Sequence, residues 1–211
     1  HYGFLFFDYL FKFILQLTKE DQWYRNQIDK LFAESDLINK GLDRIINSDD
    51  GDYIMQTIRQ DYLKDSTVTI FVIGTHSSEI EGYDYMGRRK NYFIERELQA
   101  SLYNGPENTR NGILGVVLPE MYNRIYKGKH QCLICGDIHD IVAVEDSTVI
   151  REFSKNYYTE PHSGCSWADS ERYCVLIKWD DFVTDPESYV NAAFDKRTSE
   201  IASKIKIRNL R

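Results

Sequence analysis

Two short apolar runs constrain this chain more than anything else in it. Val68-Thr69-Ile70-Phe71-Val72-Ile73 stops at Gly74, and Ile113-Leu114-Gly115-Val116-Val117-Leu118 stops at Pro119. Both are rich in β-branched residues and neither alternates strictly, so each reads as a strand buried on both faces, as inside a parallel sheet. Such a sheet needs a layer of helices on each side. The intervening sequence supplies them. Tyr24, Ile28, Leu31 and Phe32 share one helical face, behind Thr18 and Asp21 as a capping pair. Ile54, Ile58 and Tyr62 make a second stripe after the turn-like Asp49-Asp50-Gly51-Asp52, and a third helix runs from about Asn91 to Tyr103. A last helix opens at Thr184-Asp185-Pro186-Glu187, with a cap, a proline in the first turn and acid at the positive end of the dipole. Tyr173 to Trp179 adds a late strand, and Leu37-Ile38 a short one. The pattern predicts one doubly wound α/β domain over residues 1–211, a mainly parallel sheet flanked by helices, with an irregular insertion from about 120 to 172 before the last strand. Ligands in such sheets bind beyond the carboxyl ends of the strands, which directs attention to the loops after the first strand, Ile38, Ile73 and Leu118.

Composition narrows the partners. Hydrophobic residues make up 42% of the chain and charged ones 28%, enough for a sizeable core. A net charge of −7 argues against the phosphate contacts that nucleic-acid binding feeds on. The opening run from Phe4 to Leu15 is too short to cross a bilayer, which takes ~20 apolar residues, and Asp8 and Lys12 interrupt it. It carries neither a basic leader nor a small-residue cleavage site, so it reads as a core strand with its lead-in and not as a signal peptide or membrane anchor. Four cysteines without an export signal read as reduced thiols in the cytoplasm.

The third helix holds the sharpest anomaly. In Asn91-Tyr92-Phe93-Ile94-Glu95-Arg96-Glu97-Leu98-Gln99-Ala100-Ser101-Leu102, the residues Ile94, Leu98 and Leu102 step by four and define the buried stripe. Glu97 projects close to Leu98 and Ser101, while Glu95 and Arg96 point elsewhere, where solvent can reach them. A carboxylate at the edge of an apolar face costs free energy unless something pairs with it, and such sites are enriched in functional groups. On periodicity alone a rim glutamate paired with Arg88, Arg89 or Lys90 explains it better.

The run from Thr57 to Gly74, Thr-Ile-Arg-Gln-Asp-Tyr-Leu-Lys-Asp-Ser-Thr-Val-Thr-Ile-Phe-Val-Ile-Gly, resembles the TIR-like domains of bacterial Thoeris anti-phage systems. The later helix with its glutamate and the strand Gly112 to Pro119 fit the same pattern, as do Asp21-Gln22-Trp23-Tyr24-Arg25, Asp50-Gly51-Asp52 and Ile177 to Phe182. The likeness spans residues 13–119 and 173–197, and the loop Leu15-Gln16-Leu17-Thr18-Lys19-Glu20 departs from it. The resemblance implies a flavodoxin-like TIR fold and an NAD nucleosidase or ADP-ribosyl cyclase-like hydrolase, with NAD as substrate and no resident cofactor. The product would be an ADP-ribose-derived signal, cyclic or conjugated, read by a downstream effector. The family's catalytic glutamate falls on Glu97. The chemistry suits it: loss of nicotinamide leaves an oxocarbenium-like ribose, which a fixed carboxylate stabilises. The resemblance also allows a non-catalytic scaffold that acts by TIR–TIR self-association into a homo-oligomer.

Around Glu97, the candidate substrate contacts are Thr75, His76 and Ser77 after the buried strand, Asp52 after the second, and Trp23 and Tyr24 as stacking faces. For each an ordinary structural role competes. Separately, Cys132-Leu133-Ile134-Cys135 has the spacing of half a zinc site. His162 and Cys165 would complete a tetrahedral set, with His139 also close behind the pair. The apolar Leu133-Ile134 pair and the irregular second half count against it, and loose thiols are the alternative.

Overall fold

The computed structural model describes residues 12–16, 21–33, 38–39, 51–63, 66–83, 85, 87, 89–105 and 108–208, the side chains of 12–16, 38–39, 51–52, 55 and 61–63 excepted. Five parallel strands form the main sheet: β1 (Lys12–Gln16), β2 (Ile38–Asn39), β3 (Val68–Ile73), β4 (Gly112–Val117) and, later in the chain, β7 (Val175–Lys178). Their order is β2-β1-β3-β4-β7, so counting only sheet strands it runs 2-1-3-4-5. That is the flavodoxin-like order, whose switch point lies between the first and third strands.

The two buried runs occupy the centre, as their composition predicts, and their pleat sorts side chains between two layers. Val68, Ile70 and Val72 of β3, with Leu114 and Val116 of β4, pack under α1 (Gln22–Phe32), α6 (Trp179–Thr184) and α7 (Pro186–Lys196). Phe71, Ile73, Ile113 and Val117 face the other way, toward α3 (Tyr92–Leu102) and α5 (Arg151–Tyr157). Between β2 and β3 the chain forms α2 (Gly51–Thr57), which runs on into a wider π turn, Ile58–Leu63. Gly115 is a packing glycine: a Cβ there would fall 2.4 Å from the ring of Phe153, so its absence lets α5 lie on the sheet.

The helix ends follow local chemistry. Asp185 caps α7, its carboxylate accepting from the Ser188 N–H at 3.2 Å, with Pro186 as first residue. Asp21 stands before α1 but makes no cap hydrogen bond, and its supposed partner Thr18 lies outside the described residues. The late strand is shorter than the Tyr173 to Trp179 run, because Tyr173 and Cys174 are buried ahead of it and Trp179 already opens α6.

The segment between β4 and β7 is an insertion with elements of its own. A short helix, α4 (Tyr122–Ile125), leads into an antiparallel hairpin of β5 (Tyr126–Gln131) and β6 (Ile138–Val142), and α5 follows. The hairpin projects from the core: only Tyr126 and Val142, at its base, pack against buried side chains. Among the described residues, no helix is long and apolar enough to cross a membrane.

Candidate functional site

At the switch point, the carboxyl ends of β1 and β3 lie side by side, and the helices that come after them, α1 and α3, pack on opposite faces of the sheet. Beyond β3 the backbone turns tightly. The Gly74 N–H donates to Ser77 Oγ at 2.9 Å, the Ser77 N–H returns to the Gly74 carbonyl at 3.2 Å, and the Ser77 hydroxyl donates to the Val72 carbonyl at 3.2 Å. Ser77 is fully buried, so this serine holds the turn. Thr75 is exposed at its tip. His76 is half-buried, its Nδ1 2.6 Å from Glu81 Oε1. The Asn91 amide donates to the His76 and Ser78 carbonyls at 2.7 and 2.8 Å, which ties this loop to the start of α3.

Gly74 has a second purpose. A Cβ on it would fall 2.5 Å from Asp21 Oδ2, so the missing side chain lets the leading carboxylate of α1 sit over the end of β3. Asp21 is buried there. The sequence presents it as a helix cap; the signal that placed it at the ligand edge was the glycine closing the neighbouring strand.

Glu97 lies in the middle of α3, 5% exposed. Among the described residues nothing donates a hydrogen bond to it. Burial pushes its carboxyl well above the ordinary carboxylate range, and the charge of Arg25, on α1, opposes that rise. A buried carboxyl costs free energy unless something pairs with it, and such groups are enriched at functional sites.

Glu95 and Arg96, two residues and one residue earlier on the helix, are not solvated as the apolar stripe implies. They are 4% and 7% exposed. The whole of α3 from Ile94 onward is covered, because α5 and the C-terminal tail close over the side that a one-stripe helix leaves to water. Arg89, the rim partner considered for Glu97, bridges Glu79 and Glu95 instead. Arg88 lies outside the described residues.

Trp23 and Tyr24 make their contacts with one another and with Trp179. Trp23 is 59% exposed. The Tyr24 ring stands edge-on to Trp179 at 4.8 Å, and its hydroxyl donates to Glu120 at 3.4 Å, just beyond β4. They form an aromatic trio over the ends of β4 and β7, without a direct contact to Glu97. Asp52 falls in the first turn of α2, and its side chain lies outside the described residues.

The cysteine set is recomposed. Cys132, Cys135 and Cys165 come together, but the imidazole among them belongs to His139. His162 stacks on Trp167 at 4.1 Å and points Nδ1 at Glu171, 3.4 Å away, which turns it from the thiols. The sequence pairs His162 with Cys165 in the set; the structure puts His139 there, facing the thiols from β6.

The strand order defines a flavodoxin-like α/β domain, a class whose ligands bind beyond the carboxyl ends of the strands. The chain belongs to the TIR-like domain family of the Thoeris protein ThsB, whose family model matches residues 6–121, just over half of the 211 residues. The matched part runs from before β1 through α3 and β4 and stops where the hairpin segment begins. No solved structure matches the chain.

Proposed function

We propose that this Thoeris TIR-like domain cleaves the nicotinamide–ribose bond of NAD, with Glu97 as the catalytic residue, and releases an ADP-ribose-derived signal that a downstream effector reads during anti-phage defence. The observation that carries the reading is Glu97 itself: a buried carboxyl without a hydrogen-bond donor among the described residues. NAD brings the partners that Glu97 lacks among the described residues. Its ribose hydroxyls donate to the carboxylate, and its pyridinium charge, with the oxocarbenium charge that replaces it, favours the ionised form. The acid is costly in the free protein and relieved in the transition state, which is how differential binding accelerates a reaction. Thr75 and His76, on the loop after β3, stand where the nucleotide approaches. Self-association of TIR domains brings the chain to its active state.

The test is incubation with NAD and mass-resolved product analysis, in buffer and in phage-infected lysate, for the unaltered chain and Glu97→Gln. The expected result is nicotinamide release and an ADP-ribose-derived product in the activating condition, reduced by at least about 100-fold in the variant. Identical product traces from the two proteins would leave assembly alone as the function.

A further inference from the structure

The hairpin β5–β6 poses a stability problem that its side chains do not solve. From Lys127 to Ile141 nearly every residue faces solvent. An isolated two-stranded hairpin is marginal in water at best. The loop that reaches it, from Thr159 to Trp167, is anchored at its ends, by Thr159 on the Glu171 carbonyl and by the Trp167 ring against Tyr158 at 4.9 Å, while Glu160, Pro161 and Ser163 to Cys165 between them are exposed. Between hairpin and loop, four soft donors converge.

We propose that Cys132, Cys135, His139 and Cys165 hold one structural zinc ion that staples the hairpin to this loop. Cys165 Sγ lies 3.4 Å from Cys135 Sγ, and His139 Nε2 lies 3.1 Å from Cys135 Sγ and 3.3 Å from Cys165 Sγ. All four donor atoms fall within 4.8 Å of one another. Tetrahedral zinc, with Zn–S about 2.3 Å and Zn–N about 2.0 Å, sets its sulfurs about 3.8 Å apart and its nitrogen about 3.5 Å from each sulfur. Opening the three close pairs by a few tenths of an ångström, and closing the widest by up to about 1 Å, brings these donors to that geometry. The sulfurs at 3.4 Å are far beyond a disulfide, about 2.05 Å.

The backbone is built for the thiols. The Cys132 N–H donates to the Asp137 carbonyl at 2.7 Å and the Gly136 N–H to the Cys132 carbonyl at 2.9 Å, closing a tight knuckle. Gly136 completes it at φ +82°, a conformation that glycine adopts without strain. Within the knuckle the Ile134 N–H points at Cys132 Sγ, 3.4 Å away. The knuckle also answers the objection that Leu133 and Ile134 are apolar. Both project into solvent away from the sulfurs, so their polarity has no bearing on the metal. His130, across the hairpin from His139, is engaged with the Lys127 carbonyl at 3.2 Å, which leaves His139 as the imidazole of the set.

Three thiolates and one imidazole are a soft, four-donor set that selects zinc over magnesium or calcium and leaves no open position, so the site is structural and not catalytic. On binding, each cysteine releases its proton to solvent and His139 coordinates as the neutral ring through Nε2, giving a complex of net charge −1. All four ligands lie beyond residue 121, outside the part of the chain that matches the family. The site is therefore independent of Glu97.

The experiment uses the full chain, reduced and purified without chelator, with metal measured by plasma emission. One zinc per chain is expected, released by a thiol-modifying mercurial. Cobalt(II) in its place should give the intense visible bands and thiolate charge transfer of a tetrahedral site, read on the unaltered chain so that a misfolded variant does not remove the test. His139→Ala should weaken zinc at least about 100-fold, while His162→Ala and Cys174→Ser keep it. Stripping the metal should speed amide exchange at least about tenfold over residues 126–142 and 159–168 and leave β3 and β4 unchanged. A reduced chain that holds no zinc and takes none from a chromophoric chelator overturns the proposal, as does a Cys135–Cys165 disulfide in a metal-free chain. Loss of zinc in His162→Ala with retention in His139→Ala would overturn the ligand assignment.

Discussion

Glu95 and Glu97 sit two residues apart on one helix, equally buried, and the fold treats them in opposite ways. Glu95 belongs to a nest of three carboxylates, with Glu79 and Glu152, held by two guanidiniums. Arg89 bridges Glu79 and Glu95. Arg208, from the C-terminal tail, reaches all three, with Nε 2.6 Å from Glu152 Oε1, Nη1 2.7 Å from Glu79 Oε1 and Nη2 3.3 Å from Glu95 Oε1. The Gln99 amide donates to Glu152 at 2.8 Å and to Glu95 at 3.3 Å. Among the described residues Glu97 meets only the charge of Arg25. The two acids share burial and differ in their partners, and on the proposed reading the one without a donor among these residues is the one kept for the substrate.

The nest is the side of this comparison with the larger energy at stake. Arg208→Ala leaves Glu79, Glu95 and Glu152 with one guanidinium among them, and breaking a buried pair in this way costs about 3–5 kcal/mol. For a chain of this size that is a fall of roughly 6–20 °C in Tm. Arg208→Lys keeps the charge but loses the fork that serves three acids at once, so it should recover only part of the loss. A thermal melt of both variants checks this. Equal Tm values for Arg208→Ala and the unaltered chain would show that the tail is not a clamp, and would undo the contrast drawn between the two acids.

Glu97→Gln should move stability the other way while it removes activity. The Glu97 carboxyl is held above its unfolded value, so between the two values the folded chain keeps a proton that the unfolded chain releases. Stability attributable to this group is therefore full below the ordinary carboxylate value, about 4.3, and declines as pH rises toward the raised one. Glutamine carries no such slope. The variant should be more stable at neutral pH by about 1 kcal/mol, or roughly 3 °C in Tm, with an advantage that shrinks on acidification. Glu79 gives the opposite sign. Burial pushes it up, but hydrogen bonds from Arg208 and the Arg151 N–H, with the charges of Arg208 and Arg89, carry it below its ordinary value. Its contribution is present above the unfolded value and lost as pH falls through the folded one. Melts of both chains across acid and neutral pH separate the two. A Glu97→Gln variant that is less stable at neutral pH would make the glutamate structural.

How far the sequence reaches follows from what each signal depends on. β3 and β4 were legible because apolar runs with no polar alternation have no other use than burial on both faces. α7 was legible from its aspartate, proline and glutamate, which act within one turn. The hairpin was not, because Lys127, Lys129 and His130 on one strand and Asp140 on the other carry no periodicity when both faces are wet. Glu97 stood out by its place beside the stripe, but Glu95 and Arg96 were misread. Periodicity knows one buried face, and the second is made by Arg208 and Glu152, far along the chain. Which described residues reach Glu97 is a property of three dimensions and leaves no trace in spacing.

The smallest effect tests the field on Glu97 directly. If the ionised carboxylate is the active form, kcat/KM of the activated protein rises with pH through a value above the ordinary carboxylate range, because burial has pushed the group up. Arg25 is the charge that opposes this push. Arg25→Ala should therefore move the acid limb to higher pH, with a several-fold loss near neutrality that a more alkaline buffer restores and a plateau that stays unchanged. A loss equal at every pH would mean that Arg25 touches the substrate and does not act through Glu97. A limb displaced toward acid would mean that Glu97 is not the group being titrated, and the carboxylate that carries the pH dependence would have to be sought elsewhere on the strand-end surface, with the buried Asp21 against Gly74 as the first to exchange for asparagine.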